Sequence, residues 1–215
     1  MSKSKASILD ELYQAILKGD HEKARKQAYA IIEKRVSSNQ ALEKMKRALV
    51  DADAKFMRKE CLSADVAASF NAMQAAFKVI EPHLEVEPKG FRGNIIIGTL
   101  KGNLQGLGKD IVAAALRSAG FQVTDLGLDV PPESFVKAVE KEKAHVIAVS
   151  VSVVETLPFL EDLVDLLKKR KLRDQVKLII GGRAVSNATA KKYGIDAYVQ
   201  DEWECVKKVR ELLGS

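Results

Sequence analysis

Little in this chain of 215 residues points to metal or redox chemistry carried by its own side chains. Its two cysteines, Cys61 and Cys205, lie far apart and fit no CxxC spacing. Reduced thiols in a cytosolic protein are the simplest expectation. The three histidines, His21, His83 and His145, share no short motif, which argues against a histidine-rich metal site. No run approaches the roughly 20 apolar residues needed to span a bilayer. The N-terminal MSKSKASILDELYQ is polar and lacks the apolar stretch of a signal peptide, so a cytoplasmic chain without membrane association is expected. Aromatic residues make up only 6%, too few to interleave bases with basic side chains.

What is present is an ordinary globular composition, 47% hydrophobic and 30% charged, with a net charge of +6. The charge is not evenly spread. Residues 1–59 hold 14 basic and 8 acidic side chains, and residues 60–215 hold 21 of each, so the whole excess sits in the first quarter. It is dispersed among acids there, which does not predict nucleic-acid binding. It marks either a docking face for an acidic protein partner or a solvated surface.

Residues 7–84 carry no strand signal. Ile8, Leu9, Leu12, Tyr13 and Ile16 recur at helical spacing. Asp20 is placed to cap a second helix, a third runs through Leu42, Met45, Leu49 and Phe56, and Ser63 is placed to cap a fourth through Val66, Phe70, Met73, Phe77 and Ile80. Residues 1–84 are therefore expected to form a four-helix bundle. Residues 85–92 open with Glu85-Val86-Glu87-Pro88-Lys89-Gly90, which reads as a linker and hinge. In residues 93–215, apolar runs of strand length (94–98, 122–126, 145–150, 176–180 and 197–199) alternate with helical stretches over 109–119, 133–143, 157–170 and 201–213. Such continuous Ile/Val runs predict a doubly wound, Rossmann/flavodoxin-like parallel sheet of about five strands, buried on both faces. Ligands belong at the C-terminal ends of its strands.

The loops at those ends are distinctive. Gly98, Gly102, Gly106 and Gly108 punctuate the first, but no GxGxxG or GxxxxGK[ST] occurs, so neither dinucleotide nor P-loop binding is supported. Ser150 and Ser152 end the third strand on alternate positions, to line a pocket or to cap the next helix. Gly181-Gly182-Arg183 ends the fourth, where missing side chains leave room for a flat ligand or for another backbone. Tyr198 lies on the fifth, and Asp201 after it is placed to cap a helix. No acid, base or nucleophile stands out as a stand-alone catalytic group.

The order of bundle, linker and sheet resembles the corrinoid proteins of cobalamin-dependent methyltransferase systems over nearly the whole chain. That family reads DxHxxG in the first loop, SxL after the third strand and GG after the fourth. Here Asn103-Leu104-Gln105-Gly106-Leu107-Gly108, Ser150-Val151-Ser152 and Gly181-Gly182 stand in order, separated by residues 109–149 and 153–180, intervals typical of the family. Gly127-Leu128-Asp129-Val130-Pro131-Pro132, Met73 and Glu81-Pro82-His83 also match.

The resemblance implies cobalamin as cofactor, held by residues 103–108, Ser150, Ser152, Val154, Gly181, Gly182 and Tyr198, with Phe70 and Met73 covering its upper face or serving as bundle core. It implies a substrate methyltransferase and a methyl-acceptor methyltransferase as partners, with a reductive activase as a possible third. Position 105 departs from the pattern. The family's histidine is the lower cobalt ligand and its aspartate orients that imidazole; this chain has Gln105 and Asn103 instead. An amide oxygen is a weak neutral ligand, direct or through water, and asparagine supplies no carboxylate support. Ser152 stands for the expected leucine, Val154 where threonine is common, and Ala64 for a common proline; glycines are missing around residues 51–55. Three outcomes remain open: cobalamin without a protein ligand on cobalt, cobalamin keeping its own base, or loss of corrinoid binding. Separately, the roles that stay open are a methyl carrier, a non-catalytic cobalamin-binding sensor or regulatory protein, and a paralogue that has lost corrinoid binding.

Overall fold

The computed structural model describes residues 5–84 and 93–214, in two compact units that divide between Glu85 and Val86. The expected linker and hinge, 85–92, lies outside the described residues.

The first unit is helical: α1 (Lys5–Leu17), α2 (His21–Glu33), α3 (Ser38–Met57) and α4 (Ser63–Ile80), followed by a single 3-10 turn at Glu81–His83. Each helix buries one stripe. Ile8, Leu12 and Ile16 of α1 meet the bundle interior with Ala24, Ala28 and Ile31 of α2, Leu42 and Met45 of α3, and Met73, Phe77 and Ile80 of α4. α1 and α4 lie diagonally, each packing chiefly on α2 and α3. Buried polar groups are satisfied locally. Gln27 donates to Glu11 at 2.9 Å, and Ser69 donates to the carbonyls of Leu17 and Asp65. The Tyr13 hydroxyl donates to Asp51 at 2.6 Å, tying α1 to α3, and with Arg47 it holds the Asp51 carboxyl below its ordinary range.

Asp20 caps α2 as the sequence predicts, accepting from the Lys23 N–H at 2.9 Å. The start of α4 differs. Ser63 is its first residue rather than its cap, and Asp65 reaches back to accept the Leu62 N–H at 2.8 Å. The carboxylate thus satisfies the N–H of the residue before the helix and adds negative charge to its first turn, a different contact from the one expected of the serine.

The second unit is a five-stranded, all-parallel sheet in the order β2-β1-β3-β4-β5. The strands are β1 (Asn94–Thr99), β2 (Gln122–Asp125), β3 (Val146–Ser150), β4 (Lys177–Gly181) and β5 (Ala197–Val199). Alternation along each strand splits the core. Ile95, Ile97, Val146, Ala148 and Ile179 face α5 (Leu107–Ser118) and α9 (Glu202–Leu213). Ile96, Ile147, Val149, Leu178 and Ile180 face α6 (Pro132–Glu142) and α7 (Leu157–Lys169). Gly98 of β1 lies under Phe135 of α6, where a Cβ would come within 2.9 Å of the ring, so the helix sits closer than any larger residue would allow.

The expected fold class holds, with strand and helix bounds shifted by one or two residues. Asp201 caps α9, accepting from the Glu204 N–H at 2.8 Å. Two elements were not expected: a 3-10 turn at Val154–Thr156, and α8 (Asn187–Tyr193), capped by Ser186 and ended by Gly194 in the left-handed conformation. Among the described residues no helix is long and apolar enough to cross a membrane.

Cys205 is buried on α9, and desolvation above all pushes its thiol from the ordinary 9.0 up to about 12. Cys61 is half-buried. A thiol reagent at about pH 8 should label Cys61 in the native protein and Cys205 only after unfolding. The unfolded chain releases the Cys205 proton first, so its contribution to stability is present below about pH 9 and lost as pH rises through about 12. Rapid native labelling at both thiols would contradict this burial.

Candidate functional site

The strand order reverses between β1 and β3, so the loops after these strands diverge and open a crevice at the C-terminal edge. The loop after β1 is held from within. The Thr99 hydroxyl donates to the Asn103 carbonyl at 2.6 Å and accepts from the Asp129 N–H at 3.0 Å. The Asp129 carboxylate accepts from the Gly102 N–H at 2.6 Å. Val130 bridges the same stretch, its carbonyl accepting from the Lys101 N–H and its N–H donating to the Thr99 carbonyl, each at 2.9 Å.

Asn103 is fully buried at 0% exposure, and its side chain bonds to the protein. Its amide N–H donates to the Ser150 carbonyl at 3.1 Å, and its amide oxygen accepts from the Gln105 N–H at 3.0 Å. An aspartate could make only the second bond, so asparagine joins the β1 and β3 loops as a carboxylate would not. Gln105 itself is exposed, and its side-chain oxygen accepts from the Arg183 guanidinium, in the loop after β4, at 2.9 Å.

The two loops on the far side are braced by backbone. Gly182 has φ of +117°, and a Cβ there would stand against the Val151 carbonyl, 2.7 Å from its carbon. The Val151 N–H donates to the Gly181 carbonyl at 2.8 Å, and the Ala184 N–H returns to Val151 at 3.2 Å. Of the two uses the sequence left open for these glycines, their missing Cβ positions serve the approach of another backbone. β3 ends at Ser150, so Ser152 lies in the loop, and strand alternation does not set its direction. Both serines are half-buried.

Exposed apolar side chains stand on this edge among the charged Lys101, Asp129 and Arg183. Leu104 is 71% and Val154 62% exposed, and Leu128 is also exposed. Gly106 lies under Leu128, and Gly108, at the second position of α5, has nothing within 4 Å of where a Cβ would stand. Leu107 is half-buried, and Tyr198 packs on the α6–α7 side of the sheet. Sequence reasoning did not assign Leu128, although its Gly127–Pro132 context was the available signal. Phe70 and Met73 belong to the helical unit, half-buried and fully buried on α4.

Beneath the edge, Lys109 is 3% exposed and paired with Asp125 and, at 2.7 Å, with Asp110. Asp125 also accepts the Gly127 N–H at 2.8 Å, so one ion-paired cluster pins α5 to the loop after β2. Neither the lysine nor these partners stood out in the sequence.

Among the described residues no three His, Cys, Asp or Glu side chains are grouped to hold a metal ion. His145 lies at the opposite edge, where its Nδ1 accepts the Asn94 N–H at 3.1 Å. Exposed aliphatic side chains, an uncrowded Gly108 and the Gln105 amide suit contact with a flat, largely apolar ligand.

The comparisons with known proteins agree. Residues 93–206 match the model of the B12 binding domain. The chain is 32% identical over 213 residues to the trimethylamine corrinoid protein 1 of Methanosarcina acetivorans, covering 98% of this chain and 99% of that one. It is 42% identical over 121 residues to the dimethylamine corrinoid protein 3 of Methanosarcina mazei, covering 56% of this chain and 72% of that one. The structure of the Methanosarcina barkeri monomethylamine corrinoid protein superposes with a TM-score of 0.84 at 27% identity, covering 97% of this chain and 100% of that one. This chain belongs to the corrinoid proteins, with a B12-binding domain as its second unit.

Proposed function

We propose that this protein is a corrinoid carrier that moves a methyl group between a substrate methyltransferase and a methyl-acceptor methyltransferase, its cobalamin held without a protein histidine on cobalt. One observation carries the reading: the edge where the cofactor belongs offers Leu104, Leu128, Val154 and the Gln105 amide, while the unit's own histidine, His145, lies at the opposite edge. The relatives named for trimethylamine and dimethylamine support a methylated amine as the donor class.

Cobalamin, when bound, supplies the methyl-accepting and methyl-donating centre. The chain's residues do the rest. Leu104, Leu128 and Val154 give the macrocycle an apolar seat and exclude water from beneath it. Gly106 and Gly108 keep the floor low. The Asn103–Ser150 bond and the Gly182–Val151 brace fix the separation of the loops that flank the seat. Met73 is fully buried in the bundle core, so of the two expected residues half-buried Phe70 is the proposed cover, and 85–92 is the proposed hinge. A reductive activase is a proposed third partner.

The test is retention of corrinoid. Protein mixed with hydroxocobalamin and desalted should keep about one corrinoid per chain by its visible spectrum. A colourless protein overturns both this reading and a cobalamin sensor. Chain loaded with methylcobalamin should then lose the methyl group to an acceptor methyltransferase. Loaded chain that keeps it, with every candidate partner, is a sensor.

A further inference from the structure

Resting on that reading, the geometry points to Arg183 as a positioning residue that withholds the Gln105 amide from cobalt, leaving the lower axial position to water or to no ligand. Three loops meet in this one arrangement. The Gln105 backbone is fixed by Asn103, Asn103 is fixed by the Ser150 carbonyl, and the Gln105 oxygen accepts from Arg183, 78 positions away in sequence. Gly182 turns the chain tightly around Val151 immediately before Arg183, so the start of that side chain is set by backbone.

The chemistry follows from the donor. An amide oxygen bonded to a guanidinium has lost electron density to a cation, and the same cation repels a metal ion approaching the remaining lone pair. In solvent such an exposed bond is weak. A macrocycle seated over Leu104 and Val154 would remove the competing water and strengthen it. Arginine suits this better than lysine, because its planar fork keeps one N–H on the amide while the others serve different acceptors.

The experiment reads the axial ligand directly. Protein loaded with cob(II)alamin is compared by electron paramagnetic resonance and visible spectroscopy with Gln105→Ala, Arg183→Met, Arg183→Lys and the Arg183→Met/Gln105→Ala double variant. Wild type should show no nitrogen superhyperfine splitting, and Gln105→Ala should leave the spectrum unchanged. Arg183→Met should shift it, Arg183→Lys should restore it only in part, and the double variant should return it to the wild-type form. A shift in Gln105→Ala as large as in Arg183→Met overturns the inference, because the amide would already be a ligand. Nitrogen splitting in wild type overturns it as well. If wild type retains no corrinoid, the proposed function fails, and the contact is still read in the apo protein. There the Gln105 side-chain amide resonance should move in Arg183→Met by nuclear magnetic resonance, and a resonance that does not move overturns the contact.

Discussion

Gly182→Ala should destabilise the α/β unit by about 4 kcal/mol, measured as a loss in urea midpoint at unchanged slope. Two costs coincide at this position. Alanine is strained at a φ of +117°, and its Cβ would overlap the Val151 carbonyl group. Neither neighbour has room to yield, because Val151 is bonded to Gly181 on one side and to Ala184 on the other. Gly181→Ala is the internal control. Its Cβ would meet the Val199 carbonyl oxygen at 3.1 Å, with no positive φ to strain, so a cost of only about 1 kcal/mol is expected. Equal effects at the two glycines would show that the backbone brace is not what the second one serves.

Asp125→Ala should cost about 3 kcal/mol by the same measurement. It leaves Lys109 buried with Asp110 alone and removes the acceptor of the Gly127 N–H. The penalty comes from a buried cation left with one carboxylate where it had two, more than from the lost bond itself. Adding Lys109→Met to Asp125→Ala should therefore recover most of the loss, since an apolar side chain fills the space without a charge to solvate. A double variant no more stable than Asp125→Ala alone would place the penalty elsewhere.

The strands were legible because parallel strands buried on both faces are nearly unbroken Ile/Val runs, as in residues 94–97 and 146–149. Helix stripes such as Ile8, Leu12 and Ile16 were legible for the same reason, that burial enforces a period. α8 escaped because seven residues with a single buried position carry no period, leaving only Ser186 and Gly194 as marks. The motifs singled out these loops but not the bonds made within them. Asn103, Thr99 and Asp129 act on partners up to 47 positions away, and Gln105 on Arg183, so their work depends on which strands lie side by side. Lys109 reads as a solvated helical lysine until Asp125 is brought beside it by the pairing of β1 with β2.

The self-contained hydrogen bonding of the loop after β1 bears on how the cofactor is gained and lost. Thr99, Gly102, Asn103 and Asp129 already hold that loop in one conformation. Its ordering entropy is spent during folding, so capture of a ligand there draws on little further conformational loss and should approach docking onto a rigid surface. Where cobalamin seats there as proposed, a loop held by these bonds makes a poor gate, and exchange should depend on access to the seat rather than on a change in its shape.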